Sequence, residues 1–192
     1  ADLVGRMTAA EKLGLLAHAT PADDPTPANA NVSAALQASI AAGIRYGRTA
    51  ASNAQLTPRA TWANNVQALC EASSLGIPFV LSMEPAHGSG NGRTKARGFS
   101  QWPNELGLAA SANLAVVEGF GQVVSQEYRA IGVRMALSAS ANLATEPRWF
   151  GAQFTFGEDG AQVADRVGAI VKGLQGTTLG RAGVAAVVAG FP

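Results

Sequence analysis

The sequence predicts an α/β fold with about four parallel strands and a helical N-terminal lead-in: either a doubly wound sheet or a partial, half TIM-type (β/α) barrel. Three observations point there. Short apolar runs bounded by Gly and Pro alternate with longer segments of helical character, as expected of parallel strands joined by crossover helices. Loops after strands are long and loops after helices are short, which places any site at the C-terminal ends of the strands. The 192 residues hold about four strands, whereas a full (β/α)8 barrel takes about 250 residues. With no low-complexity linker and no repeat beyond this rhythm, residues 1–192 read as one domain, truncated at its C-terminal end.

The elements follow in order. Thr8 reads as a helix N-cap with Glu11 completing a capping box, and Leu13, Leu15 and Leu16 give an apolar stripe to about His18. The proline-rich stretch Thr20 to Asn31 is a loop. Val32 to Ala42 reads as a helix stopped by Gly43, and Ile44 to Gly47 as a short strand. Thr57-Pro58 opens a helix with Pro at its first position, running past Trp62, Val66 and Leu69 to about Leu75. Pro78 to Met83 is an apolar run typical of a buried parallel strand. A long loop, Glu84 to Pro103, follows. Asn113 caps a helix that ends at Gly132, and Val133 to Ser138 is the next strand. The loop from Ala139 to Gly160 is rich in aromatics. Ala161 to Leu174 is helical, and Val184 to Gly190 is the last strand.

Composition excludes several functions. The chain carries 14 Lys+Arg against 13 Asp+Glu, and 47% of it is hydrophobic, which is neither a disordered chain nor a basic nucleic-acid binder. Its 39 Ala and 22 Gly make small residues nearly a third of the chain. One cysteine, Cys70, excludes an internal disulfide framework and a Cys-rich zinc site, and two histidines disfavour a His-rich metal site. No metal site and no cofactor are implied. No run of about 20 apolar residues crosses a membrane. The first residue is not Met, so the chain is expected to begin inside something longer, and its compartment is left open.

Candidate chemistry lies in the two long loops. Glu84 and His87 follow the Pro78–Met83 strand, with Arg93, Lys95 and Arg97 behind them. A carboxylate and an imidazole there suit sugar hydroxyls or acid–base work; the structural alternative is a hydrogen-bonded loop anchor among solvated cations. Gly88 to Gly92, GSGNG, fits neither phosphate-loop pattern. In the second loop, EPRW reads as a rigid turn with a Glu146–Arg148 ion pair, and GED as the acidic cap of the next helix. Cys70 reads as a buried small hydrophobe, and no GxSxG elbow is present. Trp149, Trp102 and Phe154 are candidates for stacking on sugar rings, with core packing as the alternative.

Several strings together resemble glycoside hydrolase family 3, the β-glucosidase type. They are LVGRMTAAEKLGLL, GIPFVLSMEPAHG, WPNELGLAAS, EYRAIGVRMALSASANLATEPRWFGAQFTFGED, VKGLQG and GVAAVVAGFP, in the family's order from Asp2 to Pro192. The resemblance implies the first half of the family's N-terminal barrel and a parent activity on β-glucosides by a retaining mechanism. It assigns substrate binding to Glu84, His87, Arg148 and Trp149.

Departures cluster where the family holds its sugar. Glu84 stands for the usual Asp. Asn142 replaces the Asp before P-R-W, Gly151 the Arg after R-W-G, Phe154 the Glu before T-F-G-E-D, and Ala189-Gly190 the Lys-His pair. The S-D-W type block with the nucleophile is not in these residues, nor is the acid/base, so no catalytic residue is assigned and the chain alone is expected to be inactive. The partners implied are a glycoside or oligosaccharide, weakly held, and either the missing C-terminal half-barrel or a second copy covering the two open sheet edges. A non-enzymatic self-associating scaffold and a carbohydrate-binding remnant stand as alternatives.

Overall fold

A computed structural model describes residues 2–20, 23, 25–49, 55–84, 87, 98–137 and 139–190. Four strands, β1 (Tyr46–Thr49), β2 (Val80–Met83), β3 (Val133–Ala136) and β4 (Ala185–Ala186), form one parallel sheet in the order β1-β2-β3-β4. This order separates a barrel from a doubly wound sheet. Consecutive parallel strands laid down in one direction by right-handed crossovers put every crossover helix on the same face. That is the arrangement of consecutive strands in a (β/α) barrel. The pairing of β2 with β3 shifts register between Leu81 and Ser82.

Helices α1 (Asp2–Arg6), α2 (Ala9–Gly14) and α3 (Ala34–Ala41) form the lead-in. Thr8 and Glu11 make the expected capping box. The helix behind it is shorter than its apolar stripe predicts. Gly14 sits directly on the backbone of Gly43, where any Cβ would collide, and the chain leaves helix there with Leu16 85% exposed. Beyond it Ala19 bridges Gly47 on the outer edge of β1. One of the two sheet edges is therefore occupied, and β4 is the edge with no strand beyond it among the described residues.

Helix α4 (Leu56–Glu71) starts two residues earlier than its Pro suggests, with Gln55 as N-cap. Pro58 is thus the third helical residue, a position whose amide would have no intrahelical acceptor anyway. Trp62, Val66 and Cys70 are buried from it, whereas Leu69 is not. Helix α5 (Glu105–Ala110), capped by Asn104, lies in a stretch the sequence left unassigned. Helices α6 (Leu114–Ala130) and α7 (Gly160–Gln175) are capped by Asn113 and Asp159 as expected. They cross closely at Gly121 and Gly173, where a Cβ on Gly121 would stand 2.7 Å from the Ile170 carbonyl.

The core lies between sheet and helices. Leu81, Met83, Val133 and Ala136 of the strands meet Val66, Val117, Val124, Ile170 and Leu174 of the helices. Each fully buried Val, Leu or Ile contributes about 1.5–3 kcal/mol relative to exposure. The last strand is shorter than its apolar run: only Ala185–Ala186 pair regularly, with one further bridge from Ala189 to Ser140.

Candidate functional site

The parallel order brings the C-terminal ends of β1 and β2 side by side, and the first site group stands there. Arg48 of β1 pairs with Ser82 of β2 in register, and Glu84 lies two residues beyond Ser82. Arg48 Nη1 donates to Glu84 Oε1 at 2.6 Å, with the two side chains 45% and 53% exposed. Below them Ser82 Oγ is bonded to the Gly47 carbonyl and to His18 Nε2, each at 3.2 Å. The Tyr128 hydroxyl donates to the Glu84 backbone carbonyl at 2.7 Å.

His87 is placed differently from a surface ligand. Its side chain is fully buried, with Nε2 2.7 Å from Glu127 Oε2, and its ring packs against Phe99, Phe120 and Tyr128. Burial holds the imidazole below its ordinary pKa, against the opposing pull of the Glu127 carboxylate. Arg93, Lys95, Arg97 and the GSGNG stretch lie outside the described residues.

The loop after β3 holds the second group. Glu146 and Arg148 form a two-pronged ion pair, Nε to Oε1 and Nη2 to Oε2, each at 2.9 Å. The Arg148 amide adds a third bond to Oε1. These bonds hold the Glu146 carboxyl down at about 2. Trp149 is 45% exposed, and its indole lies against Gly151, where a Cβ would run into the ring. The arginine expected at 151 in the family pattern is thus incompatible with this Trp149 placement. Phe150 is 69% exposed and meets Phe154 edge to face with ring centroids 5.7 Å apart; both lie in the short 3-10 helix Phe150–Phe154. Trp102 instead packs on Phe120 at 5.4 Å and donates Nε1 to Ser100 Oγ, so it belongs to the core side.

At the end of β4, Gly190 adopts φ +73°, and the Asn142 side chain occupies the space any Cβ there would need. A hydrogen-bonding side chain at 190 would meet both backbone strain and Asn142. Asn142, Leu143, Val163, Val167, Val188 and Gly190 line an open, mostly apolar cavity of about 700 Å³.

Among the described residues, no hydrogen bond or ion pair joins the Glu84–His87 group to the Arg148–Trp149 group. Each is tied within its own loop and to its own neighbours. Sequence reasoning missed Arg48, Glu127 and Tyr128 as site residues. Arg48 sits in a strand with no flanking motif, and Glu127 and Tyr128 are 27 to 44 residues from their hydrogen-bond partners, so no local spacing marks them.

The sequence model of the "Glycosyl hydrolase family 3 N terminal domain" matches residues 8–192. Probable beta-glucosidase C of Aspergillus flavus is 35% identical over 199 residues, a match spanning 100% of this chain and 31% of that protein. The periplasmic beta-glucosidase/beta-xylosidase of Dickeya chrysanthemi is 39% identical over 182 residues, spanning 91% of this chain and 28% of that protein. Among solved structures, a family 3 β-N-acetylglucosaminidase from Paenibacillus sp. str. FPU-7 superposes with a TM-score of 0.81 at 22% identity, over 97% of this chain and 33% of that one. The exo-1,3/1,4-β-glucanase of a Pseudoalteromonas species gives 0.82 at 18% identity, over 99% of this chain and 24% of that one. At these identities the structures show the shared barrel fold alone.

Proposed function

Because the chain belongs to glycosyl hydrolase family 3, in the N-terminal domain of that family, we propose that it forms the sugar-holding part of a site for β-glucosides or related glycosides. The observation that carries this is Glu84. Its carboxylate is half exposed at the C-terminal end of β2 and paired with Arg48. A carboxylate accepts hydroxyl protons and a guanidinium donates to hydroxyl oxygens. The pair therefore offers both functions that neighbouring sugar hydroxyls need. The β-glucosidase names of the relatives support the substrate class. Arg148 and Trp149 supply a second set of contacts from the loop after β3, while His87 is buried in the loop after β2 against Glu127.

A retaining mechanism needs two carboxyl groups about 5–5.5 Å apart across the scissile bond. The family's nucleophile block and its acid/base are not among these 192 residues. The chain by itself therefore binds without turnover. The test is an assay of the purified chain with an aryl β-glucoside, together with calorimetric titration with glucose and cellobiose. The expected result is no release of the aryl group and a measurable heat, weakened about tenfold in Glu84→Gln by loss of a charged hydrogen bond. Turnover would overturn the assignment of inactivity, and no heat with either sugar would overturn the binding role.

A further inference from the structure

We infer that Glu127 and Tyr128, consecutive residues in the last turn of α6, are positioning residues that set Glu84 for its sugar by pinning both stems of the segment between β2 and α5. The inference rests on the sugar-holding role of Glu84 proposed above. The Tyr128 hydroxyl donates to the Glu84 carbonyl at 2.7 Å. Its ring is fully buried, with centroids 5.3 Å from His87 and 5.8 Å from Phe99. The Glu127 carboxylate takes His87 Nε2 at 2.7 Å and the Ser100 amide at 3.1 and 3.2 Å. The Trp102 amide closes the set by donating to the His87 carbonyl at 2.7 Å. Glu84 and His87 belong to the outgoing stem, Ser100 and Trp102 to the returning one. Two adjacent side chains on one helix thus hold the base of the segment at three points directly, with Trp102 linked through His87.

The chemistry of the link makes it directional. An ionised carboxylate only accepts, so the bond to Glu127 requires the proton of His87 to sit on Nε2. Nδ1 has no partner among the described residues. A second proton there would put an unpartnered donor in an apolar pocket, and burial accordingly disfavours the charged imidazole. His87 therefore stands as a neutral strut between helix and loop rather than as a sugar ligand. Arg48 fixes the far end of the Glu84 side chain from an exposed position. The Tyr128 bond to the backbone carbonyl fixes where that side chain begins. Helix α6 is 17 residues long and buries Val117, Phe120 and Val124 in the core, so it offers a rigid reference that a loop cannot.

The test compares Glu127→Ala, Glu127→Gln and Tyr128→Phe in the whole chain. Amide exchange at Ser100 and Trp102 and the Glu84 carboxyl carbon resonance are read by NMR without sugar, and affinity for methyl β-glucoside by calorimetry. In Glu127→Ala, exchange at Ser100 and Trp102 is expected to rise about tenfold and affinity to fall about tenfold, the scale of one lost charge-assisted hydrogen bond. Tyr128→Phe is expected to shift the Glu84 resonance and weaken affinity several-fold, with Ser100 exchange unchanged. Glu127→Gln keeps an acceptor and should rescue both readouts. Unchanged Ser100 exchange in Glu127→Ala, an unmoved Glu84 resonance in Tyr128→Phe, or a Glu127→Gln variant as impaired as the alanine would each overturn the inference. If wild type binds no methyl β-glucoside, the sugar-holding role of Glu84 fails, while the sugar-free measurements still decide whether α6 positions the carboxylate. Should Glu127→Ala not fold, the other two variants carry the test.

Discussion

Substituting Gly173 by alanine sets two effects of known size against each other. In a helix interior, Gly→Ala ordinarily stabilises by about 0.5–1 kcal/mol, because glycine loses more backbone freedom on folding. At 173 the added carbon would fall inside contact distance of the Glu118 carbonyl oxygen, 2.9 Å from Gly121 Cα and 3.0 Å from the Gln122 amide nitrogen. Carbon atoms prefer about 3.5–4.0 Å, and the obstacles are backbone atoms that cannot rotate away. Helices α6 and α7 must then part along a seam that also carries Ser125 Oγ to the Leu174 carbonyl and Lys172 to Glu118, both at 2.9 Å. Overpacking of this kind costs about 1–3 kcal/mol. At the upper end of that range the loss exceeds the propensity gain by about 2–2.5 kcal/mol and lowers the Tm by roughly 4–10 °C for a chain of this size. The assay is thermal unfolding followed by circular dichroism, with Gly168→Ala as control. Gly168 lies on the same helix with nothing within 4 Å of a built Cβ, so its variant should gain about 0.5–1 kcal/mol. If Gly173→Ala raised the Tm as Gly168→Ala does, the close helix crossing would be refuted.

Two further outcomes concern titration. The Glu146 carboxyl is held at about 2 by its bonds to Arg148, so whatever stability this exposed pair contributes is present above 4.5 and lost as pH falls toward about 2. A carbon-detected NMR titration should place the Glu146 midpoint near 2 and return it toward 4.5 in Arg148→Ala; an unmoved midpoint would show that the pair does not form in solution. For His87 the folded pKa lies below the ordinary 6.5, so below pH 6.5 the unfolded chain takes up a proton that the folded chain resists. Urea midpoints should therefore decline from about pH 7 to about pH 5.5, and decline less in His87→Gln; a wild type that gains stability over that interval contradicts a buried neutral imidazole.

Local chemistry made much of the fold legible. Caps at Thr8, Asn113 and Asp159 announce their helices because a side-chain oxygen satisfies amides that the helix leaves open. Glycines 43, 76 and 132 sit at positive φ near helix ends, where side chains are disfavoured. The misjudged boundaries have tertiary causes. Helix α2 stops early because Gly14 meets Gly43, and the last apolar run pairs for only two residues although its composition suits a longer strand. Of the site, Glu84 was readable as a carboxylate at a strand end and Glu146–Arg148 as a local pair. The burial of His87 was not, because Glu127, Phe120 and Tyr128, which enclose it, come from α6, far away in sequence.

Taken alone, the sequence determined the alternation of strands and helices, the placement of polar residues in loops after strands, and membership in a glycosidase family, since each depends on local pattern or on strings kept in order. Tertiary structure alone decided that Ala19 occupies the outer edge of β1 and that Arg48 and Tyr128 converge on Glu84. It also decided that His87 is buried while Trp149 lies against Gly151. The physical reason is common to all of these. Burial and hydrogen-bond pairing are properties of neighbours in space, and a carboxylate becomes a sugar contact or a loop anchor according to which distant side chains the fold brings to it.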